Sequence, residues 1–355
     1  MSEQETGLHR QSSPFLQRYS PPAIEGNFAG KHIVTVDQFN KTDLRALFDV
    51  VFDFRERIRQ QDRSLIDRCA EFVMASLFYE ASTRTDMSFQ AAMRRLGGRV
   101  IAASNGVQFS SVYKGEDLAD TVRAAACYAD VIVLRHPEVG SSYQAAFYLD
   151  QLADQLGHKT LVISGGDGVG EHPTQALLDL FTIVDLKGGT GGKVITMVGD
   201  LKHGRTVHSL AKLIGRLEPK NTTLAFVSPE SLRLPASIIE YLKTRDIQSI
   251  ETDTLSDVIA DSDVIYWTRV QEERFADRRE YEAIRDAFVM TPRVLSAAKH
   301  DMILMHPLPR KNEMGSADDR DALDTDPRAA YFKQMENGMF VRMALLAAVL
   351  GAVKP

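Results

Sequence analysis

From about Lys31 onward, short apolar runs alternate with amphipathic segments, and this alternation restricts the fold more than any other feature of the chain. The runs are Phe72–Phe78, Arg99–Ala103, Val131–Leu134, Leu161–Ser164, Val194–Val198, Leu224–Val227, Val264–Trp267 and Met302–Met305. Most are rich in Val, Ile, Leu and Met and lack strict two-residue alternation. That is the pattern of strands covered on both faces of a parallel sheet. Between them, Leu44, Leu47, Phe48 and Val51 fall at i, i+3, i+4 and i+7. Phe89, Ala92, Met93 and Leu96 repeat the spacing, as do Leu177, Leu180, Phe181 and Val184, and Val207, Leu210, Ala211 and Ile214. Gly97-Gly98 reads as a helix stop. Strands alternating with helices predict α/β architecture with right-handed crossovers. The glycine-rich break Gly188–Gly192 follows the fourth run and its helix. It predicts two doubly wound domains, each a mostly parallel sheet of about four to five strands flanked by helices, hinged near His172.

Charge and cysteine content narrow the function classes. A formal net charge of −6 on 355 residues does not advertise nucleic-acid binding, so any anion site must be a local cluster of cations. Two cysteines, Cys69 and Cys127, build no disulfide framework, and a reducing, cytoplasmic setting is expected. No cysteine–histidine cluster suggests zinc. The apolar run Met343 to Val353 is too short to span a bilayer, and no membrane partner is expected. Residues 1–30, with Pro14, Pro21 and Pro22, read as a flexible tail. Glu3, Glu5 and Glu25 in that stretch argue against a secretory signal.

In open parallel sheets, ligands bind beyond the carboxyl ends of the strands. Those positions here are rich in cations: Arg84, Arg135, Lys202, Arg205, Arg269 and Arg310. Ser82-Thr83-Arg84-Thr85 opens a predicted helix. The unpaired N–H groups and partial positive charge of that turn, with three hydroxyls and a guanidinium added, suit a phosphate. A plain N-cap with a surface arginine is the alternative. His172-Pro173-Thr174-Gln175 opens another helix, with proline at the first helical position. The dipole there disfavours protonation of His172 and leaves a neutral donor, although a histidine that merely caps the helix fits too. In Pro307-Leu308-Pro309 the prolines remove N–H groups and leave carbonyls as acceptors; a rigid loop without a ligand is the other reading. Ser110 to Glu116 reads as a loop carrying Ser110 and Lys114. A dinucleotide fingerprint and a phosphate-binding P-loop are both missing, which turns the reading toward a small phosphorylated metabolite.

Three motifs in this order and spacing, Ser82-Thr83-Arg84-Thr85, His172-Pro173-Thr174-Gln175 and His306-Pro307-Leu308-Pro309-Arg310, resemble those of the aspartate/ornithine carbamoyltransferase family. The first two are shared with ornithine-using members. Ser110 with Lys114, the Arg269-Val270-Gln271 segment, and the lack of a cysteine in the His306–Pro309 turn lean to the aspartate-using ones. The resemblance implies a domain of residues 31–172 plus 330–355 that binds carbamoyl phosphate and a domain of residues 173–329 that binds aspartate. Ser82, Thr83, Arg84, Thr85 and Arg135 would hold the phosphate. Thr85, Arg135 and His172 would polarise the carbonyl. Gln175 and the carbonyls of Pro307 and Leu308 would receive the carbamoyl NH2 and orient the amine. Arg205, Arg269 and Gln271 would hold the two carboxylates. Ser110 and Lys114 would enter from a neighbouring subunit of a homotrimer, and Lys114 and Leu308 would touch both substrates. Closure would bring Arg269 and Gln271 toward Arg84. No cofactor and no metal are expected, and association with other enzymes of pyrimidine synthesis is a possible partnership. The rivals are a carbamoyltransferase for another amine, such as ornithine, and a non-catalytic phosphometabolite-binding partner.

Overall fold

The computed structural model describes residues 13–103, 115–270, 281 and 288–355. The chain divides into two compact units, residues Met1–Thr174 with Gly338–Pro355, and residues Gln175–Asn337.

The first unit holds a four-stranded sheet of β1 (Val73–Phe78), β2 (Arg99–Ala102), β3 (Val131–His136) and β4 (Leu161–Asp167), in the order β2-β1-β3-β4. Every pairing is parallel. Helices α1 (Lys41–Arg59), α2 (Thr83–Arg95), α3 (Leu118–Ala126) and α4 (Ser141–Leu156) connect and flank the strands. The predicted stripes are the buried ones: Leu44, Leu47 and Val51 in α1, and Phe89, Ala92 and Met93 in α2, are fully buried. Helix α1 starts where Asn40 accepts the Thr42 and Asp43 N–H groups and the Asp43 carboxylate accepts the Asn40 N–H. Helix α2 stops at Gly97, whose φ of +82° and contact with the Ile66 carbonyl leave no room for a Cβ.

Residues 13–30, expected as a tail, are packed. Phe15, Ile24 and Phe28 are buried, the Gly26 N–H donates to Asp43 at 2.7 Å, and the Tyr19 hydroxyl donates to Asp150 at 2.7 Å. Prolines and polar residues masked three well-spaced apolar anchors. Beyond them, Ile33 bridges Ile163 and covers the free edge of β4.

The second unit holds β5 (Val194–Val198), β6 (Thr223–Val227), β7 (Gln248–Thr252), β8 (Val264–Trp267) and β9 (Ile303–Met305), in the order β7-β6-β5-β8-β9, again all parallel. Strand β7 has no counterpart among the predicted runs. It is an exposed edge, so its residues Gln, Ser, Ile, Glu and Thr show no buried apolar run. Helices α5 (Pro173–Lys187), α6 (Arg205–Arg216), α7 (Ala236–Lys243), α8 (Ala317–Asp324) and α9 (Tyr331–Val349) are the longer helices of this part of the chain, and the division between the units falls inside α5 and α9. Residues Met343–Val349 of α9 are buried, and among the described residues no helix is long and apolar enough to cross a membrane.

His136 closes β3 with its ring edge-on to Tyr79, centroids 4.6 Å apart, and its Nδ1 accepts the Glu138 N–H at 3.1 Å. Burial pushes its pKa from 6.5 down to about 4. The folded state therefore refuses a proton that the unfolded chain binds between about pH 6.5 and pH 4, and stability falls as pH falls through that window. His136→Asn, which keeps an acceptor for the Glu138 N–H, is expected to show a shallower loss of melting temperature from pH 6.5 to 4. Buried His32 and His306, and partly buried His208, whose pKa values are also depressed, leave a residual slope. Equal slopes in the two proteins would show that His136 is not coupled to folding.

Candidate active site

In the first sheet, the chain runs outward from β1 to β2 in one direction and from β3 to β4 in the other. Its order reverses between β1 and β3. A crevice forms at such a reversal beyond the carboxyl ends of the strands, because the two connecting helices diverge onto opposite faces. β1 and β3 are in register there, with Phe78 beside Arg135. The Tyr79 N–H donates to the Arg135 carbonyl at 2.9 Å and continues the ladder by one residue.

After β1, the chain passes Glu80 and enters α2 at Thr83. Ser82 occupies the N-cap position, and its side chain makes no capping hydrogen bond. Thr85 is buried, Ser82 and Arg84 are partly exposed, and Thr83 is exposed. The Arg135 guanidinium donates to the Gly165 carbonyl at 3.2 Å and lies 3.4 Å from the Glu80 carboxylate. Glu80 is thus a counter-charge to Arg135 at the entry to the Ser82–Thr85 turn; only its place two residues before Ser82 signals it in the sequence. On the next strand, the β4–α5 turn is tied by carboxylates. Asp167 accepts the Gly140 and Glu171 N–H groups, both at 2.7 Å, and Glu171 accepts the Val36 N–H at 2.9 Å and the Thr35 hydroxyl at 3.0 Å. This anchored turn delivers buried His172 to the start of α5. The first unit therefore gathers Ser82, Thr83, Arg84, Thr85, Arg135 and His172 at the carboxyl ends of three adjacent strands.

The second sheet repeats the device. Its order reverses between β5 and β8, where Val198 is beside Trp267. The Thr268 N–H and hydroxyl both donate to the Val198 carbonyl, at 2.8 and 2.9 Å. Gly199, at φ +119°, is required because a Cβ there would meet the Thr268 carbonyl at 2.3 Å. Arg205 opens α6 after β5, and Arg269 follows β8, both partly buried. Next to β8, the end of β9 supplies His306, Pro307 and Leu308.

That turn is held from within. The His306 Nδ1 accepts the Leu308 N–H at 2.8 Å, so its Nε2 carries the proton and donates to Glu313 at 3.0 Å. Burial depresses the His306 pKa. The Glu313 hydrogen bond opposes this, and the positive charges of Arg310 and Arg269 add to it. Leu308 sits at φ +46°, an uncommon state for a branched residue, which the His306 acceptor stabilises. The Leu308–Pro309 peptide is cis.

One expected rim cation has a structural task. The Arg310 guanidinium makes a two-pronged ion pair with Asp324 and lies 4.9 Å from the centre of the Tyr331 ring. A fork already filled by a carboxylate has little left for a ligand. Lys202 is exposed beside β5. Ser110, Lys114 and Gln271 lie outside the described residues. Among the described residues, no group of three or more His, Cys, Asp or Glu is arranged to hold a metal ion.

Gln175 is buried at the start of the second unit. Its Nε2 donates at 2.9 Å to Asp179, one helical turn onward. Asp179 also accepts from Gln334 and Tyr266. These partners lie far away in sequence and carried no motif.

Comparison with known proteins agrees with this geometry. Residues 31–185 match the family model "Aspartate/ornithine carbamoyltransferase, carbamoyl-P binding domain", and residues 191–349 match its "Asp/Orn binding domain". The multifunctional protein CAD of Squalus acanthias is 52% identical over 324 residues, which is 91% of this chain and 14% of that protein. The multifunctional relative from Saccharomyces cerevisiae is 44% identical, and the chain spans 15% of its length. The aspartate carbamoyltransferase catalytic subunit of Clostridium novyi is 42% identical over 91% of this chain and 98% of its own. Among solved structures, aspartate transcarbamoylase from Trypanosoma cruzi in complex with N-(phosphonacetyl)-L-aspartic acid superposes with a TM-score of 0.82 at 38% identity, covering 93% of this chain and 98% of that one. With both family models matched in sequence along the two sheets, the chain belongs to the aspartate/ornithine carbamoyltransferase family.

Proposed function

We propose that this chain transfers the carbamoyl group of carbamoyl phosphate to the amino group of L-aspartate, giving N-carbamoyl-L-aspartate and phosphate, an early step of pyrimidine synthesis. The observation that carries the reading is that each sheet has arginine at its point of strand-order reversal: Arg84 and Arg135 in one, Arg205 and Arg269 in the other. Two anionic substrates that repel each other need such paired cation sets. The name of the 42% identical relative from Clostridium novyi, an aspartate carbamoyltransferase catalytic subunit, points the same way.

In this reading, Ser82, Thr83, Arg84, Thr85 and Arg135 bind the phosphate, with the α2 N-terminus adding N–H groups. Thr85, Arg135 and His172 donate to the carbonyl oxygen. The free amine of aspartate attacks the carbonyl carbon. The new C–N bond forms, a tetrahedral oxyanion develops, and the C–O bond to phosphate then breaks. The amine proton leaves with the departing phosphate. Donors fixed where negative charge develops supply roughly 3–4 kcal/mol each, and holding the amine against the carbonyl removes the entropy cost of their encounter. Gln175, Pro307 and Leu308 accept from the carbamoyl NH2. Arg205, Arg269 and Gln271 take the two carboxylates, a use that ornithine lacks. The protein works as a cytoplasmic homotrimer in which Ser110 and Lys114 serve a neighbour's site. Substrate binding is followed by domain closure, and the chain associates with other enzymes of the pathway.

Arg84→Ala is expected to lower kcat by roughly 10²–10³-fold with an unchanged circular dichroism spectrum and a near-native melting temperature. In the same assay, wild-type protein is expected to carbamoylate aspartate and not ornithine. Wild-type turnover in the variant removes the phosphate role, and ornithine turnover moves the chain to the rival substrate.

Mixing inactive Lys114→Ala and His172→Ala chains is expected to restore part of the activity, since hybrid trimers contain some sites free of both changes. A solution mass of three chains should accompany this. No recovery after demonstrated subunit exchange means that each chain carries a self-contained site.

A further inference from the structure

Asp179 is fully buried on α5 and accepts hydrogen bonds from Gln175, Gln334 and Tyr266. Gln175 Nε2 and Gln334 Nε2 donate to its Oδ1, at 2.9 and 2.6 Å, and the Tyr266 hydroxyl donates to its Oδ2 at 2.8 Å. The polarity of Gln334 is fixed independently, because its Oε1 accepts the His306 backbone N–H at 3.0 Å and that group can only donate. Its NH2 must therefore face Asp179. Tyr266 keeps its proton, since burial, and then the charge of Asp179, raise its pKa far above the ordinary phenol range. Asp179 is thus held in place by an amide and a phenol that both arrive as donors.

The consequence falls on Gln175. A side-chain amide is nearly symmetric in shape and can present either its oxygen or its nitrogen outward. Against a neutral partner the two orientations compete. Against a buried carboxylate they do not, because only the NH2 end can face an acceptor without repulsion. Gln175 and Asp179 are also four residues apart on one helix face, so the contact is local and persistent. The oxygen of Gln175 is left pointing away from Asp179.

We propose that Asp179 is a positioning residue that fixes the amide polarity of Gln175, so that the Gln175 oxygen is presented as an acceptor to the NH2 group of the carbamoyl donor. This rests on the reading of Gln175 as the ligand of that NH2. A donor with an amide-like NH2 is then selected over one with a methyl group in its place, such as acetyl phosphate, because a methyl group cannot satisfy the waiting oxygen.

Two measurements test it. The first is a double-mutant cycle on kcat/KM for carbamoyl phosphate, with thermal melts for each protein. Gln175→Ala is expected to lose roughly tenfold. Asp179→Ala is expected to lose a similar factor in the wild-type background and little more in the Gln175→Ala background. Multiplying losses would give Asp179 a general structural role and overturn the proposal. Unchanged kinetics in Gln175→Ala alone would instead overturn the reading of Gln175.

The second holds even where Asp179→Ala fails to fold. Gln175→Glu sets a carboxyl beside Asp179, and one of the pair must keep a proton. A protonated carboxyl donates to Asp179 and turns its carbonyl oxygen outward, mimicking glutamine. The variant is therefore expected to be active at acid pH and to lose kcat/KM for carbamoyl phosphate as pH rises through a pKa raised above that of an ordinary glutamate. Adding Asp179→Asn is expected to abolish that extra limb. A pH profile in Gln175→Glu that does not respond to Asp179→Asn would sink the assignment.

Discussion

Strand-order reversal in a parallel sheet is the constraint on which the rest of this structure depends. It forces two connecting helices apart, opens a crevice at the carboxyl ends of two adjacent strands, and aims helix N-termini toward it. The chain does this twice, between β1 and β3 and between β5 and β8. In each sheet the residues just past those strand ends include arginines: Arg84 and Arg135 in the first, Arg205 and Arg269 in the second. A protein of net charge −6 thereby places local positive potential where a general electrostatic argument from composition finds none. Carboxylates set the background at these sites. Glu80 beside Arg135 and Glu313 under His306 tie down polar groups that would otherwise be costly to bury.

A second set of interactions is polar and internal. Asp179, Gln334, Tyr266 and His306 form a hydrogen-bonded chain whose donors and acceptors alternate without conflict. One end reaches Gln175. The other reaches Leu308, whose left-handed backbone is supported by the His306 ring. A buried network is worth its desolvation only when each member is satisfied, and its reward is a fixed orientation. Here that fixed orientation is the amide of one proposed ligand and the carbonyl of another. The network therefore links packing to chemistry through geometry.

Much of this was legible in the sequence because strands covered on both faces must be apolar. Val131–Leu134 and Val194–Val198 could be read directly, and the chemistry-bearing motifs followed at their ends. Strand β7 was invisible because an exposed edge relaxes that demand. Residues 13–30 hid their anchors among prolines and polar side chains, although Phe15, Ile24 and Phe28 bury fully enough to hold the segment. In the sequence Arg310 resembles one more rim cation; its pairing with Asp324 depends on a contact fourteen residues away that no spacing rule announces. The Asp179 chain escaped for the same reason. Gln334 is 155 residues from Asp179, and an aspartate inside an apolar helical stripe looks in sequence like a surface residue.

The proposed function requires both sets of cations to act on the substrates. The most direct measurement is a calorimetric titration with N-(phosphonacetyl)-L-aspartate, which carries a phosphonate and two carboxylates in one molecule. One molecule is expected to bind per chain, roughly a hundredfold or more tighter than inorganic phosphate because both ends engage at once, with affinity lost in both Arg84→Ala and Arg269→Ala. Binding no tighter than phosphate, or binding indifferent to Arg269→Ala, would contradict it.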